Sequence, residues 1–175
     1  MFQGLSIDYM KFKKFLSHPI IFYFTAFLLP FTILFFVYLS QGIYWGSETS
    51  PLLGDGFHQY VIFDVTLRNI LHGTDSLFYS FTSGLGLNFY ALSSYYLGSF
   101  LSPFVFLFDS LSMVDSVYLF TLIKIGLIGL STYHSIKGIY PQLHKFLILS
   151  LSTSFALMSF SISQIEIKTW LDVFI

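Results

Sequence analysis

The sequence predicts an all-α, polytopic membrane fold, with interfacial or re-entrant helices in a long first loop. Three observations carry this. Hydrophobic residues make up 55% of the 175-residue chain and charged residues 10%, against about 25% charged in a typical soluble domain. Mean hydropathy is +0.74. An uncharged run of membrane-spanning length, Ile20 to Leu39, stands near the N-terminus.

That run predicts the first span. At 1.5 Å rise per residue, twenty helical residues cover roughly the 30 Å hydrocarbon core. Pro30 sits mid-span, where a bilayer helix tolerates it with a kink. Lys11, Lys13 and Lys14 precede the run and basic residues are scarce after it. The positive-inside rule then puts the N-terminus in the cytoplasm. A signal peptide is the competing reading. The apolar run is too long for one.

From about residue 40 to 115 the chain predicts an extracytoplasmic loop. Arg68 is its only basic residue among Glu48, Asp55, Asp64, Asp75, Asp109 and Asp115. Within it, Gln59 to Leu71 has the pattern of an interfacial helix. Asp64 and Arg68, spaced i,i+4, are expected to pair on one face of it. His72-Gly73 supplies its stop signal. Phe89 to Phe108 is apolar enough to span but carries Gly98, Pro103 and several serines, so it is either re-entrant or a further span. Crossing there would put Lys137 and Lys145 outside, against the charge rule, which favours the re-entrant alternative.

The second and third spans are then Ser116 to Ile136 and Phe146 to Ser163, joined by a short turn at Gly138 and Pro141. Five serines in the third span (Ser150, Ser152, Ser154, Ser159 and Ser161) predict close packing against protein. The chain stops in a developing apolar segment, Trp170-Leu171-Asp172-Val173-Phe174-Ile175, which reads as a partial reading frame.

The composition excludes several functions. Eight basic and nine acidic residues give a net charge of -1, so no polycationic face exists for nucleic acid. The chain has no cysteine, which removes disulfides, thiol catalysis and Cys-zinc sites.

Candidate chemistry concentrates in Leu53-Gly54-Asp55-Gly56-Phe57-His58-Gln59-Tyr60. An aspartate between two glycines, just past a span, is a candidate general base at the membrane face or a holder of a cation beside a phosphate; it is equally a turn residue or helix N-cap. His58, one turn on, suits an Asp-His dyad or a polar interfacial histidine. Ser83-Gly84-Leu85-Gly86-Leu87-Asn88 is a Gly-rich turn without the Lys-Ser/Thr of a phosphate loop. Lys124 lies near the middle of the second span. A charge at that depth costs several kcal/mol unless solvated or paired, so it is either a contact for a lipid-linked phosphate or half of an ion pair with another helix. Trp170 suits an interface anchor, and Asp172 a second acid beside Asp55.

Taken in order, these residues resemble the N-terminal part of the YfhO family of bacterial membrane proteins. The resemblance spans roughly residues 15–175. It rests on Gly54-Asp55-Gly56 with Gln59-Tyr60, then Gly73, then Ser83-Gly84-Leu85-Gly86-Leu87-Asn88. It continues through Tyr95-Tyr96-Leu97 with Ser102-Pro103-Phe104, Lys124-Ile125 with Gly129 and Tyr133, and Trp170-Leu171-Asp172. It implies a GT-C-like membrane glycosyltransferase. Such an enzyme moves sugar from a polyprenyl-phosphate carrier to a cell-wall polymer, such as lipoteichoic acid, on the outer face of the cell membrane. By position Asp55 would be the catalytic acidic residue, with Lys124, Asp172, His58 and Gln59 binding substrate. No cofactor is expected, and a divalent cation stays open. Family members are several times longer, so the resemblance implies that this stretch alone forms no closed donor site. The alternatives are a transporter or flippase component, with Lys124 lining a pathway, and an inactive membrane fragment.

Overall fold

A computed structural model describes residues 18–81, 85–165 and 167–175. Lys11, Lys13, Lys14, Ser83 and Gly84 lie outside the described residues. Helices α1 (Pro19–Ser40), α4 (Met113–Ile139), α5 (Lys145–Ala156) and α6 (Ser159–Ser163) build the body of the molecule. Pro19 opens α1, where its missing N–H costs nothing, and His18 caps the end through Nδ1, which accepts from the Ile20 amide at 3.4 Å. The helix continues through Pro30 to Ser40.

Three segments among the described residues are long and apolar enough to cross a membrane: Pro19–Ser40, Ser110–Ile139 and Lys145–Ser163. They are not equivalent. The apolar window of the second is 67% buried inside the protein, against 17% for the first and 28% for the third. Helix α4 is therefore the centre, with α1 and α5 packed on it. Close approach of α1 and α4 depends on Gly129. A Cβ there would fall 2.4 Å from the Ala26 carbonyl oxygen and 2.7 Å from Pro30 Cγ, so any side chain pushes the helices apart. Pro30, expected to kink α1, is thus also a packing surface for the central helix.

The third span is not the uninterrupted helix expected over Phe146 to Ser163. It breaks at Leu157 and Met158 between α5 and α6. Of its five serines only Ser152 and Ser161 are buried, while Ser150, Ser154 and Ser159 face away from the fold. Ser150 satisfies its hydroxyl locally, donating to the Phe146 carbonyl at 2.9 Å, the usual refuge of a hydroxyl in an apolar helix.

The helix ends sort into two clusters. At one, Tyr38 meets Tyr118 with ring centroids 5.8 Å apart, and the Gly46 amide donates to Asp115 at 2.8 Å. At the other, Phe22 packs on Phe146 and the Lys145 ammonium lies 5.0 Å from the Phe22 ring. The three long segments therefore run up, down and up.

The first cluster carries residues 41–112. A π-helical turn (Gly56–Tyr60) runs straight into α2 (Val61–Leu71). Residues 89–108 form no continuous helix. Helix α3 (Phe89–Tyr96) is about 12 Å long at 1.5 Å per residue, and a 3-10 turn (Ser102–Leu107) follows, so neither piece crosses a bilayer alone. The expected Asp64–Arg68 pair does not form. Arg68 instead donates to the Phe108 carbonyl at 2.6 Å and pairs with Asp109 at 3.5 Å, while Asp64 is drawn inward. In the described part of the Gly-rich turn, Ser80 and Leu87 form an antiparallel bridge. Asn88 caps α3 by accepting from Ala91.

Candidate functional site

Gly54 has φ +48°, in the left-handed region that favours glycine. It reverses the chain and leaves Asp55 exposed at the start of the π turn, beside a buried Gly56. Although Asp55 occupies the N-cap position, its side chain makes no capping bond. Its Oδ1 accepts from Gln59 Nε2 at 3.2 Å, one turn on. His58 is exposed and sets its ring edge-on to Phe57 at 5.5 Å. The carboxylate is thus steadied by Gln59 and open to solvent, the arrangement a proton acceptor needs.

Asp55 stands at a cleft of about 110 Å³, lined also by Tyr60, Tyr95, Tyr96, Thr169 and Trp170. At about 30 Å³ per water, the cleft holds a few waters or one group of a larger molecule. Its walls are mostly aromatic. Tyr96 makes edge contacts with Tyr60 at 5.3 Å and Tyr95 at 4.8 Å, so the rings brace one another. Burial pushes the Tyr60 phenol up to about 12, against the opposing influence of the Thr169 side chain. Trp170 is half exposed and stacks on Phe160 with planes 4° apart.

Thr169 and Trp170 belong to α7 (Lys168–Asp172), a single turn of helix whose other side is charged and buried. Lys168 pairs with Asp64 on α2. Asp172 pairs with Lys124 on α4 at 2.5 Å. Lys124 Nζ also donates to the Lys168 carbonyl at 2.5 Å and to Ser99 Oγ at 2.7 Å, so its charge and two of its donors are engaged within the protein. Desolvation holds the Asp64 carboxyl above the usual carboxylate range, and the neighbouring Lys168 opposes it.

Lys124 is not isolated at mid-bilayer. Helix α4 is 27 residues long, roughly 40 Å, which exceeds the hydrocarbon core by about 10 Å. Lys124 lies about 16 Å from the α4 start, and the loop at Ser99 and α7 reach down to meet it. Irregular backbone at that depth is tolerable because it is buried in protein.

The candidate residues therefore divide. Asp55 lines the cleft, Gln59 of the π turn bonds to it, His58 is exposed on the same turn without lining the cleft, and Asp172 faces away toward Lys124. Sequence reasoning missed Asp64 and Lys168 as partners, because they lie 104 positions apart and Arg68 offered Asp64 a nearer one. The one available signal was a lysine and an aspartate spaced i,i+4 on either side of Thr169-Trp170-Leu171. Among the described residues no group of three His, Asp or Glu side chains is arranged to hold a metal ion, and Asp55 is the cleft's one carboxylate.

The family model described as bacterial membrane protein YfhO matches residues 26–175, which includes every residue of the cleft and of the buried pairs. No curated protein matches the chain, and no solved structure does.

Proposed function

This chain belongs to the YfhO family of bacterial membrane proteins, and we propose that it is a membrane glycosyltransferase or the N-terminal piece of one. In this reading it helps move a sugar from a polyprenyl-phosphate carrier to the hydroxyl of a cell-wall polymer at the outer face of the membrane. The N-terminus is cytoplasmic, and the cleft opens outside.

The observation that carries the reading is the exposed Asp55 carboxylate at the edge of an aromatic-walled cleft. Asp55 takes the proton from the acceptor hydroxyl as its oxygen attacks the sugar's anomeric carbon and the carrier phosphate leaves. Gln59 fixes the carboxylate's orientation, and His58 is an exposed polar contact for the substrate beside it. The faces of Tyr95 and Trp170 suit the C–H face of a sugar ring, and Thr169 supplies a hydroxyl. Lys124 reaches a carrier phosphate only if it gives up Asp172, so in the arrangement described both residues serve the cleft by holding its α7 wall.

Asp55→Asn in the full-length protein, made in the native membrane, tests this. Loss of polymer glycosylation by about 100-fold or more, the range for removing a general base, is expected at unchanged protein level. Normal glycosylation by that variant would sink the assignment.

A further inference from the structure

We propose that Asp64 and Lys168 are positioning residues, whose buried ion pair sets α7 as the wall of the Asp55 cleft. This rests on the reading of that cleft as the transfer site.

Helix α7 has five residues and cannot hold itself in place, since so short a helix is unstable alone. Lys168 and Asp172 are spaced i,i+4, the arrangement in which they would pair with each other on a free helix. Each instead bonds away from α7, Lys168 to Asp64 on α2 and Asp172 to Lys124 on α4. The turn is thus bridged to two different helices. Lys168 is held twice, by its ammonium and by its carbonyl, which accepts from Lys124. Leu171 completes the attachment, fully buried in the core that Leu122 and Ile125 of α4 help to form.

The consequence falls on the residues between the two pairs. Thr169 lines the cleft together with Trp170 and with Tyr60 of the π turn. Helix α2, which carries Asp64, continues directly from the π turn that carries Asp55. The Asp64–Lys168 pair therefore ties the helix behind the base to the helix that forms the opposite wall. Neither residue faces the cleft, and their effect passes through Thr169 and Trp170. Asp64 is completely buried and Lys168 nearly so, and a buried pair broken on one side is costly because a charge is left uncompensated.

The test uses the absence of cysteine from this sequence. In the full-length protein, any cysteine elsewhere replaced, Tyr95→Cys with Thr169→Cys reports on the cleft through a short thiol cross-linker. Tyr38→Cys with Tyr118→Cys, at rings 5.8 Å apart, reports on the α1–α4 body. Asp64→Asn is expected to lower the cleft cross-link at least fivefold and leave the body cross-link unchanged. Exchanging the charges with Asp64→Lys and Lys168→Asp is expected to restore at least half of the cleft cross-link, and sugar transfer with it. An unchanged cleft cross-link in Asp64→Asn overturns the proposal. So does loss of both cross-links, which would make the pair a general stabiliser, and so does failure of the exchanged variant to restore the cleft. Because cross-linking needs no sugar transfer, an active Asp55→Asn would defeat the enzymatic reading while leaving the measured link between pair and cleft intact.

Discussion

Lys124 Nζ lies 2.5 Å from Asp172 Oδ1, joining the central helix to α7. Lys124 is 1% exposed, and the Asp172 side chain is 17% exposed. The charged ends of both are nonetheless shut off from water. Removing the carboxylate leaves the ammonium its bonds to Ser99 Oγ and the Lys168 carbonyl, whereas removing the ammonium leaves two buried carboxylate oxygens with no hydrogen-bond partner among the described residues.

Lys124→Met should therefore destabilise the protein more than Asp172→Ala. The cost of stranding a buried charge is about 3–5 kcal/mol, and the second variant should fall well below that. The double variant should recover part of the loss. Thermal unfolding of the purified proteins in one detergent checks this, and the opposite order would mean that water reaches Asp172 in the native state.

The α1–α4 crossing gives a second contrast. Gly129→Ala places a methyl group against the Ala26 carbonyl and Pro30 and should cost about 1–3 kcal/mol, the usual range for overpacking. Gly138→Ala, on the same helix, meets nothing within 4 Å. Higher helix propensity should leave it neutral or up to about 1 kcal/mol more stable. Equal melting shifts for the two would show that the close crossing is not maintained in the membrane.

The long helices were legible because hydropathy and length are local properties, and Ile20 to Leu39 needed nothing beyond them. The break at Leu157–Met158 was not, since no proline or glycine marks it. The Asp55 turn was legible because two flanking glycines announce a sharp reversal. The charge partners were misassigned for a definite reason. An i,i+4 rule sees Arg68 beside Asp64, but Arg68 is drawn to the Phe108 carbonyl and Asp109 at the surface, which leaves the interior to Lys168. Likewise the depth of Lys124 was judged from the span alone, and it took the fold to bring Ser99 and α7 alongside it.

Tyr60 should make the protein sensitive to alkali. Its phenol is pushed up to about 12, first by burial, against about 10 for a free tyrosine. Both states hold the proton below about 10, so nothing changes there. Between the two values the unfolded chain releases it while the folded one retains it, and stability falls as pH rises through that window. Tyr60→Phe should shallow the alkaline loss measured by denaturation at stepped pH. An equally steep loss in that variant would place the sensitive group elsewhere.

Gln59 should matter to catalysis without being the base. Its amide donates to Asp55 Oδ1 at 3.2 Å and is the one bond that orients an otherwise exposed carboxylate on a tight turn. Gln59→Leu keeps the helical turn and removes the donor. A single hydrogen bond to a charged group is worth about 1.5–3 kcal/mol when buried, and less here, where solvent competes. The expected loss of glycosyl transfer is then about three- to tenfold, far short of the loss from Asp55→Asn. Gln59→Glu sets a like charge beside Asp55, which favours the protonated carboxyl. It should shift the pH profile of transfer toward higher pH, as expected when the base holds its proton more tightly. A Gln59→Leu variant as inactive as Asp55→Asn would assign the chemistry to Gln59 or to the turn as a whole. A Gln59→Glu profile identical to the parent's would separate Asp55 from the proton transfer.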